Sequence, residues 1–169
     1  LIPSTAISGM LVSSVCYAAG GCMLYKLICG EYSKKIAIRS VIYISVFPFA
    51  FFFGGIITEG LFFLTVTCCL YYIKHHKWLR AGIWGALAAL TRMQGVFLAI
   101  AMIAEIFETY KPFKNFMRNE KRVIAALRRS LYSFLIPIGT TVYLALNYWV
   151  DKNPFAFLEH QKHWHQGPM

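Results

Sequence analysis

Long apolar runs separated by short basic clusters organise this chain. Apolar residues dominate from Ile7 to Ile28, from Val41 to Ile73, from Ala81 to Phe107 and from Leu131 to Val150. A helix needs about 20 such residues to cross a bilayer. The first run, 7–28, and the last, 131–150, each predict one crossing. The second is too long for one. Glu59 and the glycines at 54, 55 and 60 break it near its middle. It reads as two short antiparallel helices, 41–57 and 59–73, with a turn over Gly54–Gly60 and a kink at Pro48. The third run is broken by Thr91-Arg92-Met93-Gln94-Gly95, which predicts a short pair, 81–91 and 94–107. The expected fold is an all-α, polytopic transmembrane helical bundle forming one domain.

Charge sets the expected orientation. Lys26, Lys34, Lys35 and Arg39 form one basic cluster. Lys74, Lys77 and Arg80 form a second. Lys111, Lys114, Arg118, Lys121, Arg122, Arg128 and Arg129 form a third, so the three hold 14 of the 17 Lys and Arg. Cytoplasmic loops concentrate such residues. With all three clusters cytoplasmic, the segment 108–129 is a basic cytoplasmic loop. It suits an amphipathic helix on the lipid surface, with Phe113, Phe116 and Met117 toward the membrane. Glu59, Arg92 and the tail 151–169 then share the extracytoplasmic side.

Composition agrees with a membrane protein. The chain is 58% hydrophobic and only 14% charged, against about 25% charged in soluble domains. The net charge of +10 does not indicate nucleic acid, because no basic face on a soluble domain accompanies it. Cys16, Cys22, Cys29, Cys68 and Cys69 lie in or beside apolar segments and read as small hydrophobes. The chain starts at Leu1 and stops at Met169, each close to an apolar run, which suggests a fragment of a longer polytopic protein.

Candidate chemistry gathers on the side opposite the basic clusters. Glu59 is either a helix-start carboxylate favoured by the macrodipole or a site carboxylate meeting a sugar, a cation or Arg92. Arg92 either snorkels from a shallow turn or grips a phosphate, whose oxygens suit its planar fork. Gln94 stands beside it. The tail carries His160, His163 and His165, but H-x-x-H-x-H is not a zinc spacing, and neither metal nor cofactor is expected. Trp164 suits an aromatic belt or sugar stacking. P-loop, G-x-G-x-x-G, G-x-S-x-G and H-E-x-x-H motifs are absent.

The order of the pieces carries a resemblance. Phe47, Pro48, Ala50, Phe51, Phe52, Thr58 and Glu59, then Leu90-Thr91-Arg92 with Gly95, then Pro154 and Phe157, then Gln161 and Trp164, resemble the phrases of the GPI mannosyltransferase II (PIG-V) family and its bacterial relatives. Ile57, Gly60 and Asn153 depart from that family's Tyr, Ser and Asp. The family belongs to the GT-C superfamily of membrane glycosyltransferases. The resemblance implies transfer of mannose from a polyprenyl-phosphate sugar to a glycan or lipid acceptor on the extracytoplasmic face. It implies a multi-pass protein of the bacterial plasma membrane, or of the endoplasmic reticulum in a eukaryote. Taken with the reading of the residues above, Glu59 is a candidate catalytic residue, and Arg92, Gln94, Gln161 and Trp164 are candidates for binding the lipid-phosphate donor. The resemblance also places the main catalytic Asp in an outer loop expected upstream of Leu1, which would leave this piece inactive alone. A multi-pass transporter or flippase, or a non-catalytic membrane subunit, would share the same hydropathy pattern.

Overall fold

A computed structural model describes residues 2–47, 58–111 and 120–153. These residues form an all-α bundle. Helix α1 spans Ile2–Cys29, α2 Lys34–Val46, α3 Glu59–Lys74, α4 Trp78–Thr91, α5 Leu98–Tyr110, α6 Glu120–Ser130 and α7 Leu135–Asp151. Two short 3₁₀ turns, Met93–Phe97 and Leu131–Phe134, lead into α5 and α7.

The helix ends follow from local chemistry. Phe47, just past α2, has an extended backbone (φ −57°, ψ 138°), the conformation that a following proline imposes. The helix therefore stops two residues short of Pro48. It also starts at Lys34, seven residues before the expected span at 41; the far half of that span, with Phe51, Phe52 and the glycine pair, lies outside the described residues. Between α3 and α4 the chain reverses through a Schellman-type turn. The amide of His76 donates to the Ile73 carbonyl (3.0 Å) and that of Lys77 to the Tyr72 carbonyl (2.9 Å). His76 takes the left-handed conformation (φ 54°) that such a C-cap requires. In the basic stretch, α6 runs directly through a 3₁₀ turn into α7. Phe113, Phe116 and Met117 lie outside the described residues.

Burial is inverted relative to a water-soluble domain. Large apolar side chains face outward: Val15, Tyr43, Val46, Trp149 and Val150 are all exposed. The interior holds small residues, with Ala37, Cys69, Ala81, Ala88 and Ala89 fully buried, and hydroxyls at Ser13, Thr65, Thr67 and Ser133. Lipid tails are as apolar as leucine, so a large apolar side chain gains little by turning inward. Small residues that allow close backbone approach make up most of the interior, with a few large ones such as Trp78 and Met102 among them. Segments Ile7–Cys29, Met93–Tyr110 and Arg122–Val150 are long and apolar enough to cross a membrane. Helices α3 and α4 are shorter, about 24 and 21 Å at 1.5 Å per residue, and they form the most enclosed part of the bundle.

The tightest seam joins α4 to α7. A Cβ added to Gly82 would sit 2.6 Å from the Tyr132 carbonyl oxygen, and one on Gly85 would sit 2.7 Å from Ile136. A Cβ on Gly139 would collide with the Ala86 carbonyl. Cys69 of α3 closes the group, its thiol donating to the Ala81 carbonyl at 3.3 Å. Met102, Ile106 and Ile136, all fully buried, complete the core.

These contacts fix helix direction. Gly20 lies on Phe63 and Leu64, and Glu31 meets Lys74, so α1 and α3 run parallel. Tyr17 bonds Ser45, so α2 returns antiparallel. Helix α4 runs against α3 and parallel to α7, and α5 climbs back beside Lys74 through Glu105. One end of the bundle thus carries Glu59, Arg92 and the C-terminal end of α7. The other carries Lys26, Lys34, Lys74, Lys77, Arg80, Lys111 and the basic helix α6.

Candidate functional site

At the acidic-and-arginine end, two chain interruptions come together. Glu59 is the first residue of α3, following Thr58, where the positive end of the helix dipole favours a carboxylate. Arg92 ends α4 in an extended conformation (φ −151°, ψ 139°). The phrase Leu-Thr-Arg-Met-Gln-Gly has a physical reason at each of three positions. Thr91 turns its hydroxyl back onto the Ala88 carbonyl (2.8 Å) and closes the helix. Arg92 leaves the helix axis and reaches sideways. Gly95 donates its amide to the Arg92 carbonyl (2.9 Å) and folds against the backbone of Ala88 and Ala89, where a Cβ would clash. A turn this tight holds the arginine in one place.

The guanidinium Nη2 of Arg92 donates to Glu59 Oε1 across 33 positions of sequence, forming an ion pair. The pair is mostly enclosed, with side-chain exposures of 22% for Glu59 and 34% for Arg92. Phe62, one turn into α3, sets its ring 6.0 Å from the guanidinium carbon, within cation–π range. The second carboxylate oxygen, Glu59 Oε2, is buried with no hydrogen-bond partner among the described residues. An unmet buried acceptor is costly. The site therefore presents a guanidinium about one-third open and an acceptor oxygen with capacity to spare.

Of the residues singled out from sequence, Glu59 and Arg92 meet directly. Gln94 lies in the turn after Arg92, exposed. Gln161 and Trp164, with the three tail histidines, lie outside the described residues. Asn147 of α7 was not singled out. Its amide Nδ2 is buried without a partner among the described residues. Helix α7 runs parallel to α4 from the Gly139–Ala86 contact, which carries Asn147 toward the Arg92 end. A lone Asn in an apolar helix was the available signal.

At the opposite end, a second charged group escaped the sequence reading. Lys74 Nζ lies 2.6 Å from Glu31 and 3.8 Å from Glu105, linking α3 to α5 and to the turn that follows α1. The hydrogen bond to Glu31, and then the charge of Glu105, raise the Lys74 pKa above its ordinary value. Helix α3 thus carries an ion pair at each end.

Compared with known families, residues 1–128 match the model described as dolichyl-phosphate-mannose-protein mannosyltransferase. No curated protein and no solved structure matches the chain.

Proposed function

The chain belongs to the dolichyl-phosphate-mannose-protein mannosyltransferase family of the GT-C superfamily, a membrane glycosyltransferase of mannosyltransferase type, and we propose that Arg92 and Glu59 form part of its donor site. The donor is a polyprenyl-phosphate mannose, and the transfer takes place on the extracytoplasmic face. The acceptor hydroxyl oxygen attacks the anomeric carbon. The bond from that carbon to the phosphate oxygen breaks, and its electron pair leaves with the lipid phosphate. The hydroxyl proton passes to a carboxylate base. Arg92 stabilises the charge that grows on the departing phosphate. Glu59 holds Arg92 through Oε1 and offers Oε2 to a sugar or acceptor hydroxyl.

The observation that carries this reading is the enclosed Glu59–Arg92 pair, at the bundle end remote from the basic clusters. A lipid-linked donor enters laterally and presents its phosphate near the membrane face, and an arginine there needs no nucleotide fold to recognise it. The acceptor is a glycan or glycolipid, as the resemblance to GPI mannosyltransferase II implies. A protein hydroxyl is the second reading, favoured by the family's description.

Transfer of labelled mannose from polyprenyl-phosphate mannose, measured on the full protein in detergent, tests the site. Arg92→Ala lowers kcat by about 10²–10³, the usual loss for one charge-stabilising donor, and Arg92→Lys retains part of the rate. Turnover by Arg92→Ala equal to the parent rejects the role. Supplying a glycolipid and a protein acceptor separately distinguishes the two acceptor readings.

A further inference from the structure

Helices α1 and α2 diverge to leave an open groove of about 540 Å³, within the roughly 300–1,000 Å³ of ligand pockets. Tyr17, Gly21, Cys22, Ile38, Val41 and Ile42 line most of it. The lining is almost wholly apolar. The hydrogen bond between Tyr17 and Ser45 (2.8 Å) closes one end. The other end opens at Lys26. Lys34 and Lys35 begin α2 there, with Lys34 one turn before Ile38 on the same helix face.

Charge decides what this groove fits. Lys26, Lys34, Lys35 and Arg39 have no ion-pair partner among the described residues. The nearby carboxylate, Glu31, is taken by Lys74. An apolar trough ending in uncompensated lysines complements a molecule with a hydrocarbon tail and an anionic head. A packed protein helix would cover the trough and leave Lys26 unanswered. We propose that the groove binds an anionic glycerophospholipid, one acyl chain lying between α1 and α2 and the phosphate held by Lys26 and the lysines at the start of α2. The headgroup end of the groove, at Lys26, lies at the end of the bundle away from Arg92, so the phosphate held there is not that of the sugar donor and the inference does not depend on the transfer reaction.

Native mass spectrometry of the full protein in neutral detergent, titrated with phosphatidylglycerol or phosphatidylcholine of identical chains, tests this. Phosphatidylglycerol binds at least about fivefold tighter, from roughly 1 kcal/mol per basic side chain near the headgroup. Lys26→Gln reduces that preference while helix content by circular dichroism is unchanged. Gly21→Leu fills the groove floor and weakens both lipids. The backbone there accepts a side chain, since an added Cβ would meet only Val41 Cγ1, at 3.8 Å, and the rest of the leucine enters the groove. Equal affinity for the two lipids in the parent protein overturns the proposal, as does phosphatidylglycerol binding unchanged in both variants. A benzophenone placed on the exposed Cys22, with Cys16 and Cys29 replaced by Ala, captures lipid if the proposal holds. Capture of another segment of the protein instead shows that protein covers the groove, and overturns it.

Discussion

Removing one half of the Glu59–Arg92 pair should destabilise the bundle more than removing both. Breaking a fully buried pair from one side costs about 3–5 kcal/mol, whereas exposed pairs contribute about 0.2–1 kcal/mol. With exposures of 22% and 34%, this pair falls between those limits. The two single losses are not equivalent. Arg92 has a long stem and can carry its charge outward. Glu59 is short and has a buried oxygen already without a partner. Arg92→Gln should therefore cost about 2–3 kcal/mol and Glu59→Gln about 1–2 kcal/mol, with the double Gln variant recovering about 1–2 kcal/mol. Unfolding in mixed micelles of increasing SDS content, followed by circular dichroism, measures each term of this cycle. A coupling energy below about 0.5 kcal/mol, the usual limit for independent sites, would refute the reasoning. It would mean that the two side chains meet without depending on each other.

The α4–α7 seam predicts a sharp contrast between glycines. Gly139→Leu meets the Ala86 backbone, which no rotamer change relieves, and should cost about 1–3 kcal/mol or more in the same assay. Gly21→Ala, with only Val41 at 3.8 Å, should stay within about 0.5 kcal/mol of the parent. The Lys74 cluster predicts a loss of stability in alkali. Because the folded-state pKa of Lys74 is raised above 10.5, its contribution is fully present below 10.5 and disappears as pH climbs through the folded value. The difference in unfolding midpoint between the parent and Lys74→Met should shrink over that range; a difference independent of pH would show that the ion pairs do not stabilise the fold.

Much of the architecture was legible in one dimension because the bilayer imposes a simple rule. Every backbone polar group must be satisfied within its own helix, so apolar runs become helices wherever they are long enough. The breaks at Glu59 and at Thr91–Gly95 were equally readable, because a charge or a glycine inside such a run needs a special reason. What the pattern could not supply was which face of each helix turns inward. Alternation of polar and apolar residues is weak when lipid surrounds the bundle, so rotation is decided by small residues at contacts such as Gly82, Gly85 and Gly139. Helices also run past the apolar stretches: α2 begins at Lys34, since lysine stems tolerate the last turn before the headgroups, and the basic stretch, which suited an amphipathic helix, is helical from Glu120 to Ser130.

By itself, then, the amino-acid order determined an all-α membrane bundle, the places where its helices break, and the segregation of basic residues into clusters. Tertiary structure alone decided that Glu59 takes Arg92 as its partner, that Lys74 reaches both Glu31 and Glu105, and that α1 and α2 part to leave a trough ending in lysines. Hydropathy is a property of neighbours along the chain. Ion pairs spanning 33 positions and grooves between helices depend on direction, rotation and backbone approach, which are settled only when the helices pack.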